Sequence, residues 1–165
     1  LQRIYHVPFG VERVVAGLEA LQQAALPVVP HIVCGIDFGR MRGEKNALDI
    51  LARFKIEQIV ILSLMGIPGT PVQQVDPPSP EEVAELIAMA RLRMPRTPVS
   101  LGCARARGSD RLGVLAVDAG VNRMALPSDE AIERAQAYGL DIRYQKTCCS
   151  VPGERVDCGW RRREA

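Results

Sequence analysis

Short, continuously apolar runs alternate along this chain with longer stretches of helical periodicity, and this alternation constrains the fold more than any other feature. The clearest apolar run extends from Gln58 to Leu64, the length of a strand that is buried on both faces. A loop follows it, and then apolar residues recur at helical spacing until Pro95. Short connections between such strands and helices indicate a parallel sheet with right-handed crossovers. We therefore predict an α/β fold, a partial TIM-type (β/α) barrel of about four βα units.

The same patterns predict the boundaries of the individual elements. Ser79, Pro80 and Glu82 carry the signals of a helix start, with a capping residue, a proline at the first position and a carboxylate for a capping box. Residues 1–145 are expected to form the barrel part and 146–165 an irregular tail with Cys and Arg residues. The predicted strands are 28–34, 58–64, 99–102, 121–126 and an edge strand at 140–144, and the predicted helices are 11–25, 47–54, 80–95, 109 or 110 to 119, and 128–139.

Composition excludes several classes of partner. Aromatic residues make up only 4% of the chain, so a base-stacking surface has little to be built from, and we expect no nucleic-acid partner. Apolar runs stay well below the ~20 residues of a membrane span, and the opening LQRIYHVPFG lacks the features of a secretory signal. We expect no membrane partner and a cytoplasmic location. Five cysteines without an export signal are expected to be reduced thiols.

Three stretches carry a resemblance to a known family. They are Gly69-Thr70-Pro71, the helix from Ile87 to Pro95, and the strand end from Ser100 to Arg105. In this order and at compatible spacing they resemble radical S-adenosylmethionine (SAM) enzymes of the biotin synthase and lipoyl synthase type, over most of residues 27–145. The resemblance implies the C-terminal half of a barrel. The complete enzyme would use SAM and a [4Fe–4S] cluster to make a deoxyadenosyl radical that abstracts hydrogen from a small-molecule substrate, with sulfur insertion as one option.

The cluster-binding motif of that family, C-x3-C-x2-C, does not occur in this sequence, because no three of its five cysteines have that spacing. The resemblance therefore implies that the cluster ligands come from a missing N-terminal half-barrel segment or from a separate subunit. The first residue is not Met and the chain enters almost directly into a helix, which suggests a fragment of a longer protein. We expect the chain alone to be inactive.

The resemblance implies that the ends of two strands contact the cofactor. Gly35, Ile36 and Asp37 match a glycine-rich strand end at which the backbone approaches the adenosyl group, and Asp37 would hold a ribose hydroxyl or a substrate amine. Leu64 and Met65 match the position at which the family packs the adenine. The alternative for residues 35–37 is a loop that needs glycines for its turns, with Asp37 as a turn residue. The alternative for Leu64 and Met65 is packing in the apolar core.

Ser100, Arg105 and His31 are the candidate substrate contacts. Biotin synthases carry an arginine at the position of Ser100, so biotin synthase activity itself is not expected. Cys34 is also displaced by about two residues from the matching cysteine. Arg105 is suited to bind a carboxylate bidentately or to pair with a surface acid. His31 lies in an apolar run, so it points toward a substrate or is a hydrogen-bonded core residue.

Other interpretations remain open. Cys148, Cys149 and Cys158, with Cys103 as a fourth, are either ligands of an auxiliary cluster or free thiols, and their spacing matches no zinc signature. No metal site is predicted. An aldolase-like or phosphate-binding barrel is disfavoured because no lysine is predicted at a strand end. A non-catalytic half-barrel that binds a partner or a nucleotide is the third alternative.

Overall fold

The computed structural model describes residues 2–106 and 110–151. Helices and strands alternate along the chain as the apolar pattern predicts. In order, they are α1 (Gln2–Tyr5), α2 (Val11–Gln23), β1 (His31–Cys34), α3 (Glu44–Leu51), β2 (Ile59–Ser63), α4 (Pro80–Arg93), β3 (Val99–Leu101), α5 (Asp110–Asp118), β4 (Arg123–Met124) and α6 (Asp129–Ala137).

One parallel sheet of four strands, in the order β1-β2-β3-β4, forms the centre of the fold. Each strand lies beside the next strand in the sequence, which is the arrangement within a (β/α) barrel. The register places His31, Val60, Ser100 and Arg123 side by side across the sheet, so their side chains share one face. The predicted α/β fold with four parallel strands is confirmed.

The apolar core lies between the other face of the sheet and the helices that cover it. Alternate strand residues point into this core because successive side chains of a strand face opposite ways. Leu48 of α3, Ile87 of α4 and Ala116 of α5 are fully buried against them. The strand residues in this core are Ile32, Cys34, Ile59, Ile61, Val99 and Leu101.

Several local predictions are confirmed by the backbone. The Ser79 hydroxyl accepts a hydrogen bond from the Glu82 amide, and the Glu82 carboxylate accepts one from the Ser79 amide at 2.8 Å, so the capping box is formed. Gly120 has a φ of 86°, the left-handed conformation predicted for the end of α5. Ser128 caps α6 through a hydrogen bond from Ala131.

One predicted strand does not form, and another is shorter than predicted. Residues 140–144 form no strand, because the Leu140 amide still bonds to Ala135 at the end of α6 and the neighbouring strand β4 is only two residues long. β4 is also shorter than the predicted 121–126. At its start, the Val121 amide bonds to the Ala116 carbonyl at the end of α5 and so is not available to the sheet. Of the two proposed starts for α5, Ser109 lies outside the described residues, and the helix is described from Asp110.

Residues 146–151, the described part of the predicted tail, form neither helix nor strand. Residues 149–151 are hydrogen-bonded to side chains at the amino ends of the strands. Within the described residues, no helix has the length and apolar character needed to cross a membrane.

Candidate functional site

A pocket opens at the carboxyl edge of the sheet, where β2 and β3 end. It is a depression of about 330 Å³ that is largely open to solvent. The pocket brings together three predicted site residues, Leu64, Met65 and Arg105, and adds residues that the sequence did not single out. The full lining is Leu64, Met65, Gly66, Pro77, Arg105 and Ala106.

Leu64 and Met65 form the wall that β2 contributes. The Leu64 amide bonds to the Cys34 carbonyl at 2.9 Å, which extends the β1–β2 pairing to the pocket. Leu64 is buried, whereas Met65 is 37% exposed. A partly exposed thioether beside a buried leucine presents an adaptable apolar surface to a ligand.

The glycine-rich turn after β1 is packed against the chain's own long loop. The Gly35 amide donates to the buried Glu44 carboxylate at 2.8 Å, and Gly35 has a φ of 73°. A Cβ at Gly35 would lie 2.4 Å from Pro78, so the glycine is needed for this packing as well as for its turn. Ile36 is half-buried in the same turn, and neither residue lines the pocket.

Asp37 has charged partners of its own. Its carboxylate pairs with Arg3 and, at 3.5 Å, with Arg42, and only 13% of its side chain is exposed. The structure therefore does not bring Asp37 into the pocket with Met65. In the described chain, this carboxylate ties the turn after β1 to α1.

Arg105 joins the ends of two strands at the back of the pocket. Its guanidinium donates to the carbonyls of Gly102, Ala125 and Leu126, the latter two at 2.7 and 2.8 Å. The predicted pairing with a surface acid is not among these contacts. Three carbonyl acceptors hold the planar group in one orientation, so Arg105 shapes the pocket wall.

Ser100 lies in the middle of the sheet, on the face opposite the helices. It is fully buried, and its hydroxyl has no hydrogen-bond partner among the described residues. Its neighbours in the register are Val60, also fully buried, and Arg123. Arg123, on the same face, donates to the Val151 carbonyl at 2.8 Å.

Polar side chains at the amino ends of the strands hold residues 149–151. His31 is exposed and not buried as its apolar surroundings suggested, and its Nε2 lies 3.1 Å from the Ser150 hydroxyl. It therefore lies at the opposite end of the sheet from the pocket. The sequence analysis did not single out Gln58 and Arg123, which donate to the carbonyls of Cys149 and Val151. Their positions in or beside apolar strands were a signal, because a polar side chain that is buried there needs a hydrogen-bond partner.

The cysteines occupy three different environments. Burial raises the pKa of the Cys34 thiol to about 12, and the nearby Glu44 carboxylate adds to the shift, so Cys34 is a neutral core residue. Cys103 and Cys148 are exposed, and Cys149 is partly buried. Cys158 lies outside the described residues. Among residues 2–106 and 110–151, no three His, Cys, Asp or Glu side chains are grouped to hold a metal ion.

Comparison with known proteins finds a matching family and several proteins of similar sequence. Residues 48–151 match the family described as the Biotin and Thiamin Synthesis associated domain. Biotin synthase from Halorhodospira halophila is 32% identical over 114 residues, which are 66% of this chain and 34% of that protein. Biotin synthase from Alkalilimnicola ehrlichii is 37% identical over 94 residues, 54% of this chain and 28% of that protein.

One solved structure, the tryptophan synthase alpha chain from Legionella pneumophila, aligns with 78% of this chain and 55% of its own, with a TM-score of 0.48 and 19% identity. The chain spans about a third of the length of the two biotin synthases it matches, 34% and 28%. The matched region includes the pocket residues that follow β2 and β3 and residues 148–151.

Proposed function

The chain belongs to the Biotin and Thiamin Synthesis associated domain family, and from this membership we propose that it forms the C-terminal part of a radical SAM enzyme. The observation that carries the proposal is the pocket at the carboxyl edge of β2 and β3, because parallel α/β sheets bind their ligands at that edge. The relatives' printed activity belongs to proteins of which the matched region covers only 34% and 28%. Biotin formation is therefore not assigned to this chain.

In this proposal Leu64 and Met65 pack against the adenine of SAM. Both residues line the pocket, and the wall they form is apolar, which suits the face of a purine. Gly35, Ile36 and Asp37 remain proposed contacts from the neighbouring strand end. Asp37 reaches a ribose only if its pairing with Arg3 is exchanged for the ligand.

The described residues supply no cluster ligands, so we propose that the [4Fe–4S] cluster is bound by a preceding half-barrel segment or by a separate subunit. When bound, SAM and the cluster supply a deoxyadenosyl radical for hydrogen abstraction. The residues of this chain bind and orient the ligands. Arg105 keeps the ends of β3 and β4 in place, and Ser100 offers a buried hydroxyl to a small-molecule substrate on the inner face of the sheet.

Two features support a docking surface for such a segment. β1 is an edge strand of the described sheet, so one side of its backbone is open to further pairing. The helix that precedes it in the chain, α2, has no buried residue, and Val11, Val14 and Leu21 are 49%, 44% and 39% exposed. An additional βα unit at this edge would cover both the open strand and these side chains.

Binding of the adenosyl group is tested on the chain itself. Titration of the purified chain with SAM and with 5′-deoxyadenosine, followed by NMR, is expected to shift resonances of Leu64, Met65 and Ala106. Met65→Asp is expected to weaken binding at least tenfold, since a carboxylate would enter an apolar wall. Ile67→Asp is the matched control, because Ile67 is 55% exposed and does not line the pocket.

Activity is tested after the chain is joined to, or co-expressed with, the polypeptide that carries the C-x3-C-x2-C motif. After anaerobic reconstitution, only the joined protein is expected to bind about four irons and to release deoxyadenosine on reduction with SAM. If the joined protein binds iron but makes no deoxyadenosine, the radical proposal is rejected.

A binding module without catalysis is the second candidate, and one observation favours it. Residues 149–151 are hydrogen-bonded to Gln58, Arg123 and His31 on the face of the sheet where a barrel enzyme would hold its substrate. A chain that binds 5′-deoxyadenosine but leaves the joined protein inactive would support this candidate. The aldolase-like alternative needs a lysine at the end of a strand. Lys45 lies in α3 and Lys55 follows that helix, so neither of them supports it.

A further inference from the structure

Cys148, Ser150 and His31 form a series of hydrogen-bonded side chains at the amino end of β1. The Cys148 sulfur lies 3.4 Å from the Ser150 hydroxyl. That hydroxyl lies 3.1 Å from Nε2 of His31, the first residue of β1. The other ring nitrogen, Nδ1, lies 3.0 Å from the Val29 carbonyl oxygen. A thiol, a hydroxyl and an imidazole thus follow one another in one series of contacts, and we call these three side chains the triad.

The Val29 carbonyl decides which ring nitrogen of His31 carries the proton. A carbonyl oxygen can only accept a hydrogen bond, so Nδ1 of the neutral ring donates and Nε2 is left as an acceptor. The Ser150 hydroxyl then donates to Nε2, and its oxygen accepts from the Cys148 thiol. One direction of donation, from the thiol towards the ring, therefore satisfies all three contacts.

We propose that Cys148 is a nucleophilic modification site for low-molecular-weight disulfides, at which Ser150 passes the thiol proton to His31. Each member of the triad lies within hydrogen-bonding distance of the next, and the Val29 carbonyl orients the base, which is the arrangement that activates a nucleophile. Cys148 is exposed, so a small reagent can reach its sulfur. Because His31 begins β1, the site lies at the opposite end of the sheet from the pocket and is independent of the function proposed for the pocket.

The reaction transfers one proton and exchanges one disulfide bond. The Cys148 thiol gives its proton to the Ser150 oxygen while the Ser150 hydroxyl gives its own to Nε2 of His31, which leaves a thiolate and an imidazolium. The thiolate attacks one sulfur of the small disulfide, a new S–S bond forms as the old one breaks, and the leaving thiolate takes up the proton that His31 releases. The Cys148 sulfur is oxidised and the leaving sulfur is reduced. The products are a mixed disulfide and one small thiol, and an excess of small thiol reverses the exchange.

The surroundings of the triad keep it in place and favour the thiolate of Cys148. The Val151 amide bonds to the Cys148 carbonyl at 3.0 Å, which closes residues 148–151 into a turn, and Arg123 donates to the Val151 carbonyl at 2.8 Å. Hydrogen bonds from Ser150 lower the pKa of the Cys148 thiol, and the Cys149 thiol contributes in the same direction. Burial raises the pKa of Cys149 itself, so the two adjacent cysteines differ in reactivity.

The first experiment treats the full chain, reduced and desalted, with oxidised glutathione for short times, then alkylates it and maps its tryptic peptides without reduction. Cys148 is expected to gain a glutathionyl group at least about tenfold faster than Cys103, the internal control, which is also exposed. Cys149→Ser, which leaves one cysteine in the peptide TCCSVPGER, is expected to keep the fast product, and Cys148→Ser to lose it. Equal rates at Cys148 and Cys103, or a fast product that persists in Cys148→Ser, would overturn the proposed site.

The pH dependence of alkylation by iodoacetamide tests the roles of Ser150 and His31, in chains that carry Cys149→Ser so that one cysteine of the peptide is followed. The rate at Cys148 is expected to rise with a midpoint below the ordinary thiol pKa of 9.0, since the thiolate is the form that reacts. Ser150→Ala and His31→Phe are expected to move this midpoint towards 9.0 and to slow the reaction at about pH 7 by about fivefold or more. Ser150→Thr keeps the hydroxyl and is expected to keep the low midpoint.

The rate at high pH separates proton transfer from a merely structural role. Above about pH 10 the thiol is ionised without help, so the parent chain, Ser150→Ala and His31→Phe are expected to react within about threefold of one another. A change in the accessibility of Cys148 would alter this plateau as well as the midpoint. An unchanged midpoint in Ser150→Ala, or a plateau that falls together with the rate at about pH 7, would overturn the role of the triad.

Discussion

The side-chain amide of Gln58 donates a hydrogen bond of 2.6 Å to the backbone carbonyl of Cys149, 91 residues further along the chain. The carbonyl oxygen of the same amide accepts a hydrogen bond of 2.8 Å from Arg123. Gln58 is 1% exposed, so this one buried amide connects the start of β2, the start of β4 and residues 149–151. A polar residue therefore holds residues 149–151 to the sheet.

Replacing Gln58 tests that role. Gln58→Ala leaves the Cys149 carbonyl and the Arg123 guanidinium without this partner, and the free energy of unfolding is expected to fall by about 1–3 kcal/mol. Urea denaturation measures the change, and proteolysis within 147–151 should become faster. Gln136→Ala, on the exposed side of α6, is the control and should change stability by less than about 0.5 kcal/mol. Equal effects would contradict the assignment.

Two serines are expected to respond oppositely to the same substitution. Ser79→Ala removes the capping hydroxyl of α4 and should cost about 1 kcal/mol of unfolding free energy. Ser100→Ala removes a buried hydroxyl without a described partner, so stability should be unchanged or rise by about 1 kcal/mol. Denaturation of both variants gives the comparison. A loss of more than about 1 kcal/mol for Ser100→Ala would mean that its hydroxyl is hydrogen-bonded.

Glycine is required at one position of the loop after β1 and dispensable at another. Gly39 has a φ of 82°, and a Cβ there would lie 2.2 Å from the Asp76 carbonyl oxygen, so Gly39→Ala should cost about 1–3 kcal/mol. Gly43 has a φ of −132° and no atom within 4 Å of an added Cβ, so Gly43→Ala should cost less than about 0.5 kcal/mol. Thermal and urea unfolding distinguish the two, and a costly Gly43→Ala would refute the packing argument.

Arg105 is expected to stabilise the fold through the several N–H donors of its planar guanidinium and not through its charge alone. Arg105→Lys keeps the charge, but one ammonium cannot reach the carbonyls of Gly102, Ala125 and Leu126 together. We expect a loss of about 1–3 kcal/mol in urea denaturation. Arg96→Lys, at an exposed position before β3, should be neutral. If the two variants were equally stable, Arg105 would not hold the strand ends.

The buried thiol of Cys34 makes stability depend on alkaline pH. Its pKa is about 12 in the folded chain and 9.0 ordinarily, so between these values the unfolded chain releases a proton that the folded chain keeps. The free energy of unfolding should then fall by up to about 1.4 kcal/mol for each pH unit above 9. Cys34→Ala should lack this component of the slope. Parallel slopes in the two proteins would show that Cys34 ionises normally.

Much of the fold was predictable because its signals act over a few residues. The capping box of Ser79 and Glu82, the left-handed Gly120 and the cap at Ser128 are each read within one helical turn. The order of the strands followed from short connections. The prediction failed where a strand depends on a neighbouring strand. Residues 140–144 have the pattern of a strand, but β4, the strand they would pair with, is only two residues long.

The candidate site was predictable in part. Leu64, Met65 and Arg105 meet in one pocket, since the ends of parallel strands meet at one edge. The direction of the Arg105 guanidinium and the exposure of His31 were not predictable. Each depends on which carbonyl or hydroxyl lies opposite in the folded chain.

The sequence by itself determined the type and order of the elements and the edge at which the pocket opens, since apolar periodicity, caps and chain direction are local properties. Only the tertiary structure decided that Gln58 and Arg123 bind the carbonyls of Cys149 and Val151. These hydrogen bonds join residues far apart in the chain. No local pattern records such a pairing, because it depends on the three-dimensional positions of Gln58 and Arg123 once the sheet has formed.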